Sequence, residues 1–291
     1  MIRQNKQRRK AMFTPYTFTT PNPGKNILIL GAVHGNETAG TEAQLKLIEQ
    51  LRNQEVKLKS GSVTFIPIVN EAANKIDERF VDVNLNRVIC HHDTPSNNEE
   101  RIANALLPFI EKCDILVDLH STHCPADVPF AFLDYPTPKN LELLSLVPVQ
   151  TALAGWPEIY KNQPDITNYC TEEYAHTHHK SAITIECGYH KSTDSIQIAH
   201  QSILNVLAHF GILDLPQPTK HNPRVITLHS FVTKTAEGDF SKEYKHLDKI
   251  TKDEVLAKYK NGQQLRAPFN GYIVMPNPKA TLYSEWYYLG R

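Results

Sequence analysis

Lys25-Asn26-Ile27-Leu28-Ile29-Leu30-Gly31-Ala32-Val33-His34-Gly35-Asn36-Glu37 is the stretch from which the rest of the chain can be read. Lys25 to Ala32 is a run of Ile and Leu without helical spacing, with Pro23-Gly24 ahead of it and a glycine behind, which predicts a buried strand. Its end opens into the polar His34-Gly35-Asn36-Glu37. From Thr41 to Arg52, Ala43, Leu45, Leu47, Ile48 and Leu51 recur at helical spacing between polar residues. The order is therefore strand, polar loop, helix.

The same unit repeats. Ser62 to Val69 reads as a strand, Asn98 to Lys112 as a helix, Asp114 to Asp118 as a strand, and Ala182 to Glu186 as a strand before a helix from Ser195 to His209. Such alternation predicts an α/β fold, a sheet covered by helices. Polar residues follow the strands: His34, Asn70, His120 and Glu186. In open α/β sheets that edge is where ligands bind. After Leu213, Pro216, Pro218 and Pro223 suggest a linker, giving a catalytic unit over 1–214 and a small β-rich unit over 215–291. In the latter, Val225 to Thr233 alternates like a strand, Asp253 to Leu256 introduces a short turn or strand, and Asn270-Gly271 signals a tight turn.

Composition narrows the function classes. The 291 residues carry 31 Lys+Arg against 31 Asp+Glu, so no global field attracts nucleic acid or an anionic membrane. The longest apolar runs fall far short of the roughly 20 residues that span a bilayer. The basic start (Arg3, Lys6, Arg8, Arg9, Lys10) leads into Phe13-Thr14-Pro15-Tyr16 instead of an apolar signal core. Cys90, Cys113, Cys124, Cys170 and Cys187 form no C-x-x-C pair, which fits a reducing cytoplasm better than a disulfide framework or a thiolate zinc knuckle.

His34 and Glu37, three apart in a loop, are spaced to converge on one cation, and zinc accepts both donor types. Alone the pair carries little weight. Asp118-Leu119-His120 follows an apolar strand to the same edge, where His120 reads either as a satisfied core histidine or as a third ligand, with His123 as a rival. Glu186 ends the strand Ile183-Thr184-Ile185, a placement suited to a general base and less so to a buried ion-pair partner. The segment from Asn70 to Arg87 is too polar for core. Its Asn86-Arg87 pair offers an amide and a guanidinium fork for a carboxylate, and Arg79 reads equally as an oxyanion donor or a surface arginine.

Together, His34-x-x-Glu37, Arg79, Asp82-x-Asn84-Leu85-Asn86-Arg87, Asp118-Leu119-His120 and Ile185-Glu186-Cys187-Gly188 resemble the aspartoacylase and succinylglutamate desuccinylase family, a branch of the zinc carboxypeptidase-like superfamily, over about residues 26 to 190. The resemblance implies an α/β fold with a mixed central sheet flanked by helices, and one zinc per chain on His34, Glu37 and His120, with Glu186 as general acid and base. It also implies Arg79 polarising the scissile carbonyl and Asn86 with Arg87 holding a substrate α-carboxylate. The substrate class so implied is an N-acyl amino acid, with a homo-oligomer left open. The short step from Arg79 to Asn86 favours the deacylase branch over carboxypeptidases of short or modified peptides, while a non-catalytic metal-site binder stands as the reading from another class. The tail resembles a small β domain from which a tyrosine reaches the site, and Tyr272 is the candidate. One departure stands out: His176 occupies the position, about ten residues before the base, where aspartoacylases carry an arginine for the second carboxylate. Cys187 reads as packing instead of ligation.

Overall fold

In the computed structural model, which describes residues 11–125, 127–161 and 169–291, the apolar run becomes strand β2 (Asn26–Gly31), preceded by β1 (Tyr16–Thr19). The basic residues at 1–10 lie outside the described residues. β2 does not alternate in sequence because both of its faces are covered. Ile27 and Ile29 pack with Ala43, Leu47 and Ile48 of helix α1 (Ala39–Arg52), whereas Leu28 and Leu30 pack with Ile102, Leu106 and Ile110 of a second helix on the opposite face. Each fully buried side chain of this kind contributes on the order of 1.5–3 kcal/mol.

The remaining strands ahead of residue 215 are β3 (Ser62–Ile66), β4 (Ile115–Thr122), β5 (Phe130–Phe132), β6 (Thr151–Ala154) and β7 (Ser181–Tyr189). The helices after α1 are α2 (Glu71–Lys75), α3 (Asn98–Lys112), α4 (Pro138–Leu146), α5 (Trp156–Tyr160), α6 (Thr171–Thr177) and α7 (Thr193–His209). The tail adds β8 (Arg224–Thr233), β9 (Gly238–Phe240), β10 (Asp248–Ile250), β11 (Val255–Tyr259), β12 (Gln264–Arg266), β13 (Gly271–Val274) and β14 (Glu285–Gly290). The large sheet runs β1-β3-β2-β4-β7-β5-β6-β8-β14-β13-β10, and β12-β11-β9 form a small second sheet. β3, β2, β4 and β7 are mutually parallel, and β5 then enters antiparallel to β7, so the sheet is mixed.

Residues 215–223 carry no helix or strand, and beyond them β8 pairs in parallel with β6, which joins the tail strands edge to edge with the central sheet. The tail has its own cluster around Leu256, Ile273, Trp286 and Tyr287, and a seam cluster of Phe130, Leu153, Trp156, Tyr160, Ile226, Leu228, Val274 and Tyr288 joins it to the rest. Among the described residues no helix is long and apolar enough to cross a membrane.

One reading needs correction. The segment from Asn70 to Arg87 is not wholly outside the core, because Asn70, Ala73 and Leu85 are fully buried. Asn70 caps α2 by accepting from Ala73 N and also donates to Glu99 Oε1 at 2.9 Å. Polarity misled here because buried polar groups are tolerated when they are hydrogen-bonded.

Candidate functional site

Strand register brings the first site residues together. In β4 and β7, His120 pairs directly with Glu186, while Gly31 at the end of β2 lies opposite Leu119. Past Gly31 the chain turns through Ala32, at φ 44°, a left-handed conformation that β2 cannot continue through. That turn carries His34 and Glu37 over the sheet edge. Gly35 packs so closely on α2 that a Cβ there would lie 2.3 Å from Asn74 N. In β7 the register slips after Glu186, where the three residues His120 to Thr122 of β4 run alongside the four from Glu186 to Tyr189 of β7. Gly188, at φ 101°, occupies that bulge.

His34, Glu37 and His120 are all buried, and their donor atoms lie within 4.8 Å of one another, so this group can hold a metal ion. Both imidazoles face Glu37 with Nδ1: His34 Nδ1 is 2.9 Å from Oε1 and His120 Nδ1 is 2.7 Å from Oε2. Their far nitrogens are held from behind, His34 Nε2 by Asn84 Oδ1 at 3.0 Å and His120 Nε2 by Asp118 Oδ2 at 3.1 Å. Asp118 in turn accepts from Thr171 Oγ1 at 2.6 Å. An oxygen behind each ligand histidine fixes its tautomer and ring orientation. His–Glu–His with a carboxylate and an amide behind the rings is a donor set suited to zinc.

Electrostatics agree with that fit. Burial, reinforced by the Arg79 guanidinium, pushes His34 down to about 4, which keeps its imidazole in the neutral form that ligates metals. Burial works against charge on His120 and Glu37 as well, but there it is outweighed. Asp118 and Glu37 hold His120 well above the ordinary imidazole value, and the two histidines hold Glu37 well below the carboxylate range.

Glu186 is pushed up to about 8, first by burial and then by the neighbouring Glu37 charge. Its Oε2 is buried with no hydrogen-bond partner. Arg79, about half exposed, donates through Nη1 to Glu37 Oε1 at 2.7 Å. Asn86 Nδ2 lies 3.5 Å from His120 Nε2, and Asn86 Oδ1 is buried and unpartnered. Arg87 lies with its guanidinium 6.0 Å from the Tyr160 ring centre.

A cavity of about 260 Å³ unites His34, Arg79, Asn86, Arg87, His120 and Glu186. Two candidates stand apart from it. His176 stacks on Tyr135, with ring centres 4.0 Å apart and planes 12° from parallel, and it does not line the cavity. Tyr272 takes a 2.7 Å hydrogen bond from Arg224 and lies under that guanidinium; the tail tyrosine on the cavity wall is Tyr288. Tyr288 lies in Glu285-Trp286-Tyr287-Tyr288, where aromatic residues on both strand faces hide which one points inward. His123 is exposed, and Cys187 is buried in the apolar core, outside the donor group.

Sequence reasoning also missed a positioning residue. Glu99, fully buried in the first turn of α3, accepts from the backbone N–H of Val81 (2.9 Å), Asp82 (3.1 Å) and Val83 (3.3 Å). It thereby holds the segment that carries Arg79, Asn84, Asn86 and Arg87. The only hint was Asn98-Glu99-Glu100, which reads as a helix start.

Comparison with known proteins accords with this geometry. Residues 23–210 match the model of the succinylglutamate desuccinylase/aspartoacylase catalytic domain. A succinylglutamate desuccinylase of Pseudomonas paraeruginosa is 32% identical over 106 residues, which are 34% of this chain and 31% of that protein. An N-alpha-acetyl-L-2,4-diaminobutyric acid deacetylase of Halomonas elongata is 31% identical over 126 residues, 42% of this chain and 36% of that protein. These alignments span about a third of the relatives' length. Among solved structures, a succinylglutamate desuccinylase/aspartoacylase from Rhodobacter sphaeroides superposes with TM-score 0.76 at 19% identity, covering 96% of this chain and 89% of that one. The product-bound ectoine utilization protein EutE (DoeB) of Ruegeria pomeroyi gives 0.74 at 22% identity, covering 95% and 88%. The likeness to these structures is one of fold. With the family model matched from β2 to the end of α7, the chain belongs to the succinylglutamate desuccinylase/aspartoacylase family.

Proposed function

We propose that this protein is a zinc-dependent hydrolase that cleaves the amide of an N-acyl amino acid, releasing a carboxylic acid and a free amino acid. The observation that carries the reading is Glu186, the register partner of His120, which has an unpartnered carboxyl oxygen and lines one cavity with Asn86 and Arg87. A zinc held by His34, Glu37 and His120 supplies Lewis-acid activation of water and of the scissile carbonyl.

The chain's own residues then divide the work. Asn86 and Arg87 bind the α-carboxylate and so orient the amide. Arg79 donates to the carbonyl oxygen as negative charge grows there. Glu186 takes a proton from the attacking water and passes it to the leaving nitrogen as the C–N bond breaks; a carboxyl raised to about 8 is matched to both transfers near neutral pH. Five cysteines outside any disulfide support a cytoplasmic setting.

The test is a screen of zinc-loaded protein against N-acetyl, N-succinyl and N-formyl amino acids and short peptides, reading free amine. Glu186→Gln is expected to lower kcat by at least about a hundredfold with metal content near parent, since the amide keeps the shape and removes the proton carrier. His34→Ala is expected to lose the metal. If peptides are cleaved and N-acyl amino acids are not, the carboxypeptidase reading replaces this one.

A further inference from the structure

The two candidate ligand histidines are braced on the same plan. Asn84 Oδ1, behind His34 Nε2, also accepts from Asn86 N at 3.0 Å. Asp118 Oδ2, behind His120 Nε2, also accepts from Thr171 Oγ1 at 2.6 Å. Each brace is one oxygen gripped by a ligand histidine and by a second donor. On the His34 side that donor is backbone, set by the 3-10 turn at Leu85–Arg87. On the His120 side it is a side-chain hydroxyl, 53 residues along the chain from Asp118.

Asp118 depends on that hydroxyl. It is fully buried in β4, and its Oδ1 has no hydrogen-bond partner, so its hold on His120 runs through Oδ2. The terminal torsion of an aspartate is broad, and a carboxylate gripped by one donor turns about it. A second donor on the same oxygen fixes which edge meets the imidazole.

Helix α6 is built to present the hydroxyl. Thr171 is its first residue, so no preceding helical turn offers a carbonyl that would compete for it. Tyr169 O accepts from Ile89 N at 2.9 Å, and Ala175 is buried in one cluster with Leu116 of β4, so the stretch is anchored on both sides of Thr171. Its chain neighbours Cys170 and Glu172 line the cavity, whereas Thr171 is buried and does not. Thr171 therefore meets the support of the metal site and not the substrate.

We propose that Thr171 is a positioning residue for the metal: its hydroxyl fixes Asp118, and Asp118 so fixed holds the His120 ring with Nδ1 turned toward Glu37. The inference rests on the metal half of the proposed function and is independent of the substrate.

Zinc affinity, measured without substrate by competition with a chromophoric chelator, tests it through two pairs that differ by the hydroxyl. One pair is the parent against Thr171→Val, the other Thr171→Ser against Thr171→Ala, and the second decides if the valine variant does not fold. In each pair the member without the hydroxyl is expected to bind zinc roughly three- to tenfold more weakly, below the roughly ten- to a hundredfold typical of a direct partner. Thermal melting of the metal-free proteins reports that each is folded. In an Asp118→Ala background the same exchange is expected to change zinc affinity by less than about twofold, because the hydroxyl then has nothing to hold. Equal affinities within a folded pair overturn the proposal, as does a loss of the same size in the Asp118→Ala background. Hydrolysis reads the deacylase assignment separately. A parent that binds zinc with the expected hydroxyl dependence and cleaves no N-acyl amino acid sinks that assignment and leaves Thr171 in its role. Hydrolysis by a parent whose zinc affinity is indifferent to the hydroxyl sinks the role of Thr171 alone.

Discussion

His120 and Glu186 are register partners on adjacent parallel strands, whereas Arg79, Asn84, Asn86 and Arg87 hang from a segment whose regular structure amounts to α2 and one 3-10 turn, Leu85–Arg87. His120 and Glu186 line one cavity with Arg79, Asn86 and Arg87, yet the two groups are held there by different forces. The strand side is set by backbone pairing between β4 and β7 and by apolar packing on both sheet faces. The loop side depends on buried polar contacts, chiefly Glu99 and Asn70, together with the close approach of Gly35 to α2. A strand-borne residue therefore tolerates the loss of a neighbour, while a loop-borne residue inherits any fault in its polar supports. Active sites often combine the two, a rigid scaffold presenting residues carried on loops.

The difference can be broken at the loop's business end first. Arg87→Ala is expected to cost about 2–5 kcal/mol in kcat/KM on every N-acyl amino acid if the carboxylate contact is desolvated, with the melting temperature little changed. A loss confined to one substrate would move the carboxylate to another cation.

The support is the next point of attack. Glu99→Ala leaves the Val81, Asp82 and Val83 N–H groups without their acceptor and is expected to destabilise the protein by on the order of 1–3 kcal/mol, measured by urea unfolding. Burial alone would raise the Glu99 pKa, but the Val81, Asn70, Asn98 and Asp82 hydrogen bonds outweigh it and hold the carboxyl below its ordinary 4.5. A carboxylate with a lowered folded pKa contributes stability that is present above about pH 4.5 and is lost as pH falls through the folded value. Parent protein should therefore lose part of its stability in that acid window, and Glu99→Gln should lose correspondingly less. Equal acid profiles would show that the loop is held by something else.

Asn84 links the two sides, because it belongs to the loop and braces His34 from behind. Asn84→Ala is expected to weaken zinc by roughly ten- to a hundredfold, about 1.4–2.7 kcal/mol, in competition with a chromophoric chelator. Unchanged affinity would show that the ligand geometry is fixed without the loop.

The smallest effect separates the two tail tyrosines. Tyr272→Phe removes an exposed hydrogen bond to Arg224 and is expected to change stability and kcat/KM by less than about 0.5 kcal/mol. Tyr288→Phe should have the larger kinetic effect, since its hydroxyl lies 2.6 Å from that of Tyr160 on the cavity wall. The reverse order would return the tail's contribution to Tyr272.

Much of the strand side was legible from one sequence. Ile27 to Leu30, Ile115 to Val117 and Ile183 to Ile185 are short apolar runs, and each is followed within a few residues by a group able to bind metal or carry a proton. Strand formation and strand endings depend on near neighbours in the chain, so a local reading reaches them. The α/β alternation and the helix at Asn98–Lys112 were legible for the same reason.

Other features were settled only by the tertiary structure. β5, three residues long, enters antiparallel between β7 and β6, and that crossing places Asp134 beside α6 and Glu172; nothing near Asp134 in sequence encodes it. Tyr288 reaches the wall because β14 pairs with β8, which itself extends the sheet from β6, a chain of contacts joining residues more than a hundred positions apart. Glu99 reads as an ordinary helix-start acid until the loop folds over it. The strand ends come from local periodicity. The acidic, aromatic end of the cavity and the stapled loop come from long-range pairing, whose loop-closure cost is met only when the whole sheet assembles, and no window of sequence contains that information.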